Sequence, residues 1–258
     1  MSVSSTPAAT PAFATARNAC AGLGFSFEKV DKRFGSLLVL RAVSFSIAPG
    51  EAVALLGANG SGKTTLLRLA ASLAAPTRGQ IQWTGGGASG PELRARIGFA
   101  GHSTLLYDEL TATENLIFFS RLYGLPAAAS RVEEWLAGAG LAARRNDLVR
   151  TFSRGMRQRL AIARALIHSP DLLLFDEPSA GLDAQGVNWL ARTLHSLRTA
   201  GCTVLMSAHA GSPNLEIFTR AIWLAGHVLA GDTGPGGGVA AALRQAENAA
   251  PGERGASR

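Results

Sequence analysis

The chain has 258 residues, 47% of them hydrophobic, which suffices to bury the core of one large α/β domain with or without an inserted subdomain. Its 25 Lys and Arg residues against 18 Asp and Glu give a net charge of +7. Because the arginines are scattered, we interpret this charge as a solvated surface and expect no nucleic-acid partner. No window approaches about 18 consecutive apolar residues, so the sequence predicts no membrane span of its own.

The two ends and the two cysteines are interpreted from composition. Residues 1–23 are rich in Ser, Thr, Ala and Pro without the pattern of a secretion signal, and we predict a disordered extension there. The domain itself is expected over 24–230, followed by a flexible Gly- and Ala-rich tail over 231–258. Cys20 and Cys202 share no metal or redox spacing. Because Cys202 begins an apolar run, we predict a buried strand thiol and a reducing compartment.

The first elements in chain order are predicted strands. Short strand-like runs over 24–47, bounded by the turn signal Pro49-Gly50, predict an antiparallel β layer. An apolar run over 51–56 predicts a buried strand. Helical spacing over 65–70 then predicts a helix, so the glycine-rich residues between them form a strand-to-helix loop.

Residues 91–150 change to a helical pattern rich in Ala, Leu and Arg, and we interpret about 101–150 as an inserted helical subdomain. Helices and strands then alternate, which favours a parallel sheet with helices on both faces. The elements predicted here are a helix over 156–167, a strand over 172–175, a helix over about 184–200 and a strand over 203–206.

The strand-to-helix loop has the phosphate-loop pattern Gly57-x-x-x-x-Gly62-Lys63-Thr64. Its glycines would let backbone N–H groups surround phosphate oxygens at a helix N-terminus, while Lys63 would reach the β- and γ-phosphates and Thr64 would hold Mg²⁺. The alternative is a Gly-rich turn, which the strand before and the helix after disfavour. The pattern predicts binding of ATP and Mg²⁺. The predicted nucleotide-binding residues of this loop are Gly57, Ala58, Asn59, Gly60, Ser61, Gly62, Lys63, Thr64 and Thr65.

The predicted strand over 172–175 ends in Asp176-Glu177, at the strand edge where open α/β sheets bind ligands. Asp176 would hold Mg²⁺, and Glu177 would polarise the water that attacks the γ-phosphate. An Asp-Glu pair at a strand end is often only solvated. Beside a phosphate loop, it predicts ATP hydrolysis.

With these motifs, three others make the chain resemble the nucleotide-binding subunit of ABC transporters. Phe152-Ser153-Arg154-Gly155-Met156 resembles the family's Leu-Ser-Gly-Gly-Gln signature, Ser179-Ala180-Gly181-Leu182-Asp183 matches its D-loop, and His209 takes the place of its switch histidine. Each alone could be structural: a helix cap, a Gly turn capped by Asp, or a lone His. The resemblance implies that Ser153, Gly155 and Met156 face the nucleotide of an opposing subunit. It further implies that Asp183 communicates across the dimer and that His209 contacts the γ-phosphate.

Two further positions are interpreted through the resemblance. Phe34, 29 residues before Lys63, takes the place of the aromatic residue that stacks on adenine, although Phe is also common in cores. The family usually has a Gln after the strand that leads into the helical subdomain, where it senses Mg²⁺. Here that residue is His102, a rigid ring with one donor and one acceptor when neutral, which implies an altered coupling role.

The resemblance implies a P-loop NTPase fold of the ABC ATPase type, with a parallel core sheet, an antiparallel β subdomain and an inserted helical subdomain. It also implies an ATPase that forms a homodimer and binds integral membrane transporter subunits at the cytoplasmic side of the cell inner membrane. The stretch Gly101–Leu116 is similar to the ATP-binding subunit of the cytochrome c biogenesis haem exporter. The Phe-Ser-Arg-Gly-Met variant also occurs in drug, polysaccharide and antibiotic exporters, so these stay open beside haem export. A soluble ABC ATPase acting on DNA or ribosomes and a non-hydrolysing regulator are the remaining alternatives.

Overall fold

The described part of the chain forms two β-sheets, one antiparallel with three strands and one mixed with six. The computed structural model describes residues 20–86, 90–126, 128–209, 211–213, 215–240 and 242–244. The strands are β1 (Gly24–Phe34), β2 (Leu37–Ile47), β3 (Ala52–Gly57), β4 (Arg78–Thr84), β5 (Ile97–Ala100), β6 (Leu172–Asp176), β7 (Thr203–Ser207), β8 (Arg220–Ala225) and β9 (Val228–Asp232). The α-helices are α1 (Lys63–Ala70), α2 (Gly90–Arg94), α3 (Ala112–Leu122), α4 (Ala128–Gly138), α5 (Arg154–Leu166) and α6 (Ala184–Thr199).

The antiparallel sheet has the strand order β2-β1-β4. Strand alternation turns Phe25, Phe27 and Phe45 inward, and all three are buried. The rings of Phe27 and Phe45 stack with their centroids 4.9 Å apart. The prediction of an antiparallel layer at the start of the domain is therefore confirmed.

The six-stranded sheet has the order β5-β6-β7-β3-β8-β9, and only the β8–β9 pair in it is antiparallel. Alternate residues of β6 face opposite layers. Leu173 and Phe175 pack in the cluster that contains α5 and α6, whereas Leu172 and Leu174 pack with Leu66 of α1. Helices therefore cover both faces, as predicted. Because β3 and β6 run in the same direction, their carboxyl ends meet at one edge of the sheet.

Helix α3 lies in the predicted helical insertion and packs against α4 and α5. Thr111 caps it: its side chain accepts a hydrogen bond from Glu114 N, and Glu114 Oε2 accepts one from Thr111 N. Buried Asn115 secures the preceding loop, because its Oδ1 accepts from Tyr107 N at 2.8 Å and its Nδ2 donates to Tyr107 O at 3.0 Å. These residues thus start the helix and hold the segment before it.

Arg220, at the start of β8, joins the two sheets. Its Nη1 donates to Ser46 O at 2.9 Å in β2 and to Glu51 Oε1 at 3.1 Å, just before β3. Its Nε and Nη2 donate to the two carboxylate oxygens of Asp232 in β9. The hydrogen bonds from Arg220 hold the pKa of Asp232 below its ordinary value of 3.8. This planar, bidentate pairing is the arrangement for which arginine is best suited.

Two predictions about the ends of the chain differ from the structure. Residues 1–19 of the predicted extension lie outside the described part, but Leu23 is buried. Of the predicted tail, 245–258 lie outside it as well. Strand β9 extends through Asp232, and Val239 and Ala242 are buried, so the described part of the tail packs onto the core.

Cys20 and Cys202 form a disulfide with their Cα atoms 5.2 Å apart. The prediction of an unpaired strand thiol at Cys202 was wrong, because the fold brings together cysteines that are 182 residues apart in the chain. The predicted reducing compartment stays a prediction. Within the described ranges, no helix is long and apolar enough to cross a membrane.

Candidate nucleotide-binding and hydrolysis site

The glycine-rich loop between β3 and α1 requires glycine at two positions. Gly57 and Gly62 have φ angles of 144° and 104°. A Cβ on Gly57 would lie 2.7 Å from Leu224 O, and one on Gly62 would lie 2.8 Å from Leu40 Cδ2. Because Gly62 caps α1 without a side chain, the first N–H groups of the helix remain available to an anion.

Lys63 is folded back against this loop and is 8% exposed. Its Nζ donates to Gly57 O at 2.8 Å and to Ala58 O at 3.1 Å, and an ammonium group has a third N–H that can bind phosphate. Burial lowers the pKa of this ammonium, while the nearby charges of Glu177 and Asp176 oppose that shift. The Lys63 ammonium group is therefore a desolvated cation at the N-terminus of α1, a position that favours an anionic ligand.

Thr64 and Asp176 lie together at the carboxyl edge of the sheet. Thr64 Oγ1 donates to Asp176 Oδ2 at 2.5 Å, and Asp176 is 2% exposed at the end of β6. Hydroxyl and carboxylate oxygens are the ligands that Mg²⁺ prefers. The two side chains predicted to hold Mg²⁺ are therefore adjacent, and their chemistry fits that ion.

Glu177 follows Asp176 directly and has a left-handed backbone, with φ of 49°. A non-glycine residue in this region stores strain, and such strain is common at functional sites. Glu177 lines a cavity of about 360 Å³ together with Lys63, Thr64 and Asp176. A carboxylate that could accept a proton from water thus borders the same space as the phosphate loop.

His102 lies between that cavity and a second one of about 310 Å³, because it lines both of them with Asp176 and Glu177. Its Nε2 is 3.9 Å from Asp176 Oδ2, and its side chain is 60% exposed. The imidazole therefore borders the predicted metal site without a direct hydrogen bond to it.

The signature segment and the D-loop contact each other beside the second cavity. Ser153 caps α5, with Oγ accepting from Met156 N at 3.3 Å, and a Cβ on Gly155 would lie 2.7 Å from Gly181 O. Asp183 caps α6 by accepting from Gly186 N at 2.8 Å. The structural interpretations of Ser153 and Asp183 as helix caps are thus correct, and the roles across a dimer remain predictions.

The described lining of the cavity beside the phosphate loop leaves out nine predicted residues: Gly57, Ala58 and Ser61 of the loop itself, and Phe34, Ser153, Gly155, Met156, Asp183 and His209. Phe34 ends β1 and is 52% exposed, with Lys32 Nζ 4.8 Å from its ring centroid. His209 is exposed after β7, and its Nδ1 accepts from Gly211 N at 3.2 Å, which leaves Nε2 as the donor. The predicted contacts of Phe34, Ser153 and His209 with the nucleotide therefore stay predictions.

Ser207 is a site residue that the sequence analysis missed. It ends β7 directly beside Asp176 and contacts both Asp176 and Glu177. The signal was available, since Ser207 is the polar end of an apolar strand two residues before His209. Its partners, however, depend on the pairing of β6 with β7.

Comparison with known proteins supplies a family. A family model described as "ABC transporter" matches residues 40–180, more than half of the chain. The ABC transporter ATP-binding protein NatA of Bacillus subtilis (strain 168) is 45% identical over 66% of this chain and 71% of its own length. The linearmycin resistance ATP-binding protein LnrL of the same organism is 38% identical over 70% of this chain, and Nod factor export ATP-binding protein I of Paraburkholderia xenovorans (strain LB400) is 40% identical over 71%. The matches span only 60% and 62% of these last two relatives.

Two solved structures resemble the chain. The ATP-binding subunit of an ABC transporter is 27% identical, with a TM-score of 0.75 over 88% of this chain and 95% of its own. A dimeric ATP-binding cassette in a post-hydrolysis state, bound to ADP and Pi, is 28% identical, with a TM-score of 0.72 over 81% of this chain and 97% of its own. The predicted fold class is confirmed by these likenesses.

The predicted similarity to a haem exporter is not supported by these relatives. Names that refer to linearmycin resistance and Nod factor export fit the alternative of a drug, polysaccharide or antibiotic exporter better. The physical reason lies in the residues on which the prediction depended. Thr111, Glu114 and Asn115 cap α3 and hold its preceding loop, so they report on the fold and not on a cargo.

Proposed function

The chain belongs to the ABC transporter family, and we propose that it is the ATPase subunit of an exporter whose membrane-spanning part is formed by other polypeptides. One observation carries this proposal. Thr64 Oγ1 contacts Asp176 Oδ2, and Glu177 lines the same cavity as Lys63, so residues for binding phosphate, Mg²⁺ and a reacting water share one space. Phosphoryl transfer requires these three functions together.

Each residue then has a chemical role in ATP hydrolysis. The phosphate loop and Lys63 hold the β- and γ-phosphates, and Phe34 stacks on the adenine. Mg²⁺, held by Thr64 and Asp176, would neutralise charge on the phosphate oxygens. Glu177 accepts a proton from the attacking water, and His209 donates from Nε2 to the γ-phosphate. His102, beside Asp176, links the state of this site to the adjoining helices.

A second copy of the chain completes the site in this proposal. Ser153, Gly155 and Met156 of one protomer face the ATP bound to the phosphate loop of the other, and Asp183 links the two sites. The N-terminus of α5, which follows Ser153, supplies backbone N–H groups for the γ-phosphate. The dimeric cassette among the similar structures supports this arrangement.

The chain has an apolar groove on which membrane subunits could dock. Its volume is about 410 Å³, and its lining includes Leu73, Phe99, Leu105 and Leu122. Leu73, Leu105 and Leu122 are 54%, 52% and 68% exposed, which is unusual for large apolar side chains grouped on a soluble surface. We assign this groove to the membrane partners and place the chain at the cytoplasmic side of the inner membrane.

ATP-dependent dimerisation tests the shared site. Glu177→Gln, which should bind ATP without turning it over, is expected to double in mass by light scattering when ATP is added. ADP should not produce the dimer, since it lacks the γ-phosphate that the opposing Ser153 would contact. A chain that stays monomeric at saturating ATP would contradict the shared site.

The cargo can be tested in cells that carry the gene. Cells in which the gene is deleted should become more sensitive to an exported drug or antibiotic, or should retain a polysaccharide that they normally export. Their c-type cytochromes should form normally. Wild-type protein should restore export, and Glu177→Gln should not. Loss of c-type cytochromes in the deletion strain would instead support haem export as the function.

A further inference from the structure

Ser207 makes two hydrogen bonds that join the predicted metal ligand to the predicted base. Its Oγ donates to Asp176 Oδ1 at 2.7 Å and accepts from the backbone N–H of Glu177 at 2.8 Å. Ser207 is 1% exposed, and the register of the parallel strands β6 and β7 places it directly opposite Asp176. One buried hydroxyl therefore contacts two consecutive site residues.

The first bond sets the plane of the Asp176 carboxylate. Asp176 Oδ2 accepts from Thr64 Oγ1 of α1, while Oδ1 accepts from Ser207 Oγ of β7. Two donors on different elements thus fix both oxygens of a side chain that is almost fully buried. Without Ser207, Oδ1 would lose its partner in a place that water reaches poorly, and the carboxylate could rotate.

The second bond holds the backbone from which the Glu177 side chain leaves. At φ of 49°, Glu177 has a conformation that non-glycine residues seldom adopt, and it persists only where the surroundings impose it. Ser207 Oγ accepts the N–H of this same residue. The hydroxyl therefore holds a strained turn that directs the Glu177 carboxylate toward the cavity beside Lys63.

We propose that Ser207 is a positioning residue for ATP hydrolysis, which orients Asp176 for Mg²⁺ and Glu177 for the attacking water through one hydroxyl. The proposal rests on the function proposed above. It predicts a specific defect, because neither contact involves the loop that binds phosphate. Removing the hydroxyl should impair turnover and metal dependence while nucleotide binding without metal is kept.

Ser207→Ala tests this proposal, and Thr203→Val is the matched control. Thr203 is also a buried residue of β7, and its Oγ1 accepts from Gly50 N at the opposite end of the strand. Both variants remove a buried hydroxyl from one strand, so both should lower thermal stability. Only Ser207→Ala should change the chemistry, and Ser207→Thr, which keeps the hydroxyl, should recover it.

Three readouts are measured on the purified full chain: kcat, the Mg²⁺ concentration for half-maximal turnover, and the affinity for a fluorescent ATP analogue with Mg²⁺ or with EDTA. For Ser207→Ala, we expect kcat to fall about 10- to 150-fold, the range for a lost hydrogen bond to a charged group. The Mg²⁺ requirement should rise, and the stimulation of analogue binding by Mg²⁺ should shrink. Affinity in EDTA should stay near that of wild type.

Turnover and Mg²⁺ dependence in Ser207→Ala that match those of Thr203→Val would overturn the proposal. If Ser207→Ala fails to fold, Ser207→Cys is measured in its place, because it keeps a side chain of similar shape with a weaker donor. The Cys variant should show the same defects in milder form. Wild-type turnover and Mg²⁺ dependence in the Cys variant would equally overturn the proposal. Failure of the proposed ATPase function can be distinguished from failure of the role of Ser207, because in the first case Glu177→Gln would hydrolyse ATP as fast as wild type. A slow Glu177→Gln beside an unimpaired Ser207→Ala would remove only the role of Ser207.

Discussion

Thr64 Oγ1 lies 2.5 Å from Asp176 Oδ2, although the two residues are 112 positions apart in the chain. This contact joins the helix that follows the phosphate loop to the strand that carries the acidic pair. It is the point at which nucleotide binding and hydrolysis meet in the proposed mechanism.

Thr64→Val keeps the side-chain shape and removes the hydroxyl. We expect Mg²⁺-dependent turnover to fall about 10- to 150-fold, because a hydrogen bond to a charged group and a metal ligand are both lost. Binding of a fluorescent ATP analogue in EDTA should change little. Thr199→Val is the control, since that hydroxyl donates to His195 O within α6, away from the site. Normal Mg²⁺-dependent turnover in Thr64→Val would remove Thr64 from the metal site.

Lys63→Ala should weaken nucleotide binding itself. Charge-assisted hydrogen bonds to phosphate contribute about 1.5–3 kcal/mol, which corresponds to about 10- to 150-fold in the dissociation constant. Calorimetric titration with ATP measures this loss. Arg68→Ala removes an exposed cation from the same helix and should bind ATP normally. Equal affinities in all three proteins would contradict the phosphate-loop assignment.

Phe34→Ala tests the adenine contact. Base–aromatic stacking contributes about 1–3 kcal/mol by alanine substitution, so ATP affinity should fall about 5- to 150-fold. Because an aromatic face accepts any purine, GTP affinity should fall by a similar factor, and Phe34→Tyr should retain both. Leu37→Ala, an exposed apolar change in the same hairpin, is the control. Unchanged ATP affinity in Phe34→Ala would show that the adenine lies elsewhere.

Strands β3, β6 and β7 of the core sheet could be predicted because each is locally encoded, whereas β8 and β9 were not predicted. Strand β6 is a continuous apolar run ending in two carboxylates, and the glycines before α1 predict a phosphate loop without knowledge of the fold. Their meeting at one edge follows from parallel strand direction alone. Most of the candidate site was therefore accessible from motif and order.

The features that could not be predicted depend on contacts between distant segments. Ser207 reaches Asp176 only through the register of β6 with β7, and Cys20 reaches Cys202 across 182 residues. Asn115 was available in sequence, but only its hydrogen bonds to Tyr107 show that it holds a loop. The similarity of the stretch Gly101–Leu116 to a haem exporter thus reflected a shared fold, although it had suggested a shared cargo.

Asp232→Asn should destabilise the fold in a pH-dependent way. Arg220 lowers the pKa of Asp232, so the charged pair contributes stability above 3.8 that is lost as pH falls through the lowered value. At pH 7, urea unfolding should show a loss of about 1.5–3 kcal/mol, and the gap to wild type should narrow below pH 3.8.

The exposed pair Arg144–Asp147 provides the matched control for that measurement. Both side chains are more than 40% exposed, so Asp147→Asn should cost less than about 1 kcal/mol at pH 7. A constant gap between Asp232→Asn and wild type across this pH range would contradict the role given to the Arg220–Asp232 pair.

The most direct test of the account is the steady-state ATPase rate of Glu177→Gln beside wild type and Glu92→Gln, an exposed carboxylate on α2. We predict that Glu177→Gln binds ATP with near wild-type affinity and turns it over at least about 100-fold more slowly, as expected for loss of a general base. Glu92→Gln should match wild type. Wild-type turnover in Glu177→Gln would contradict the assignment of Glu177 as the base, and with it the proposed hydrolysis site.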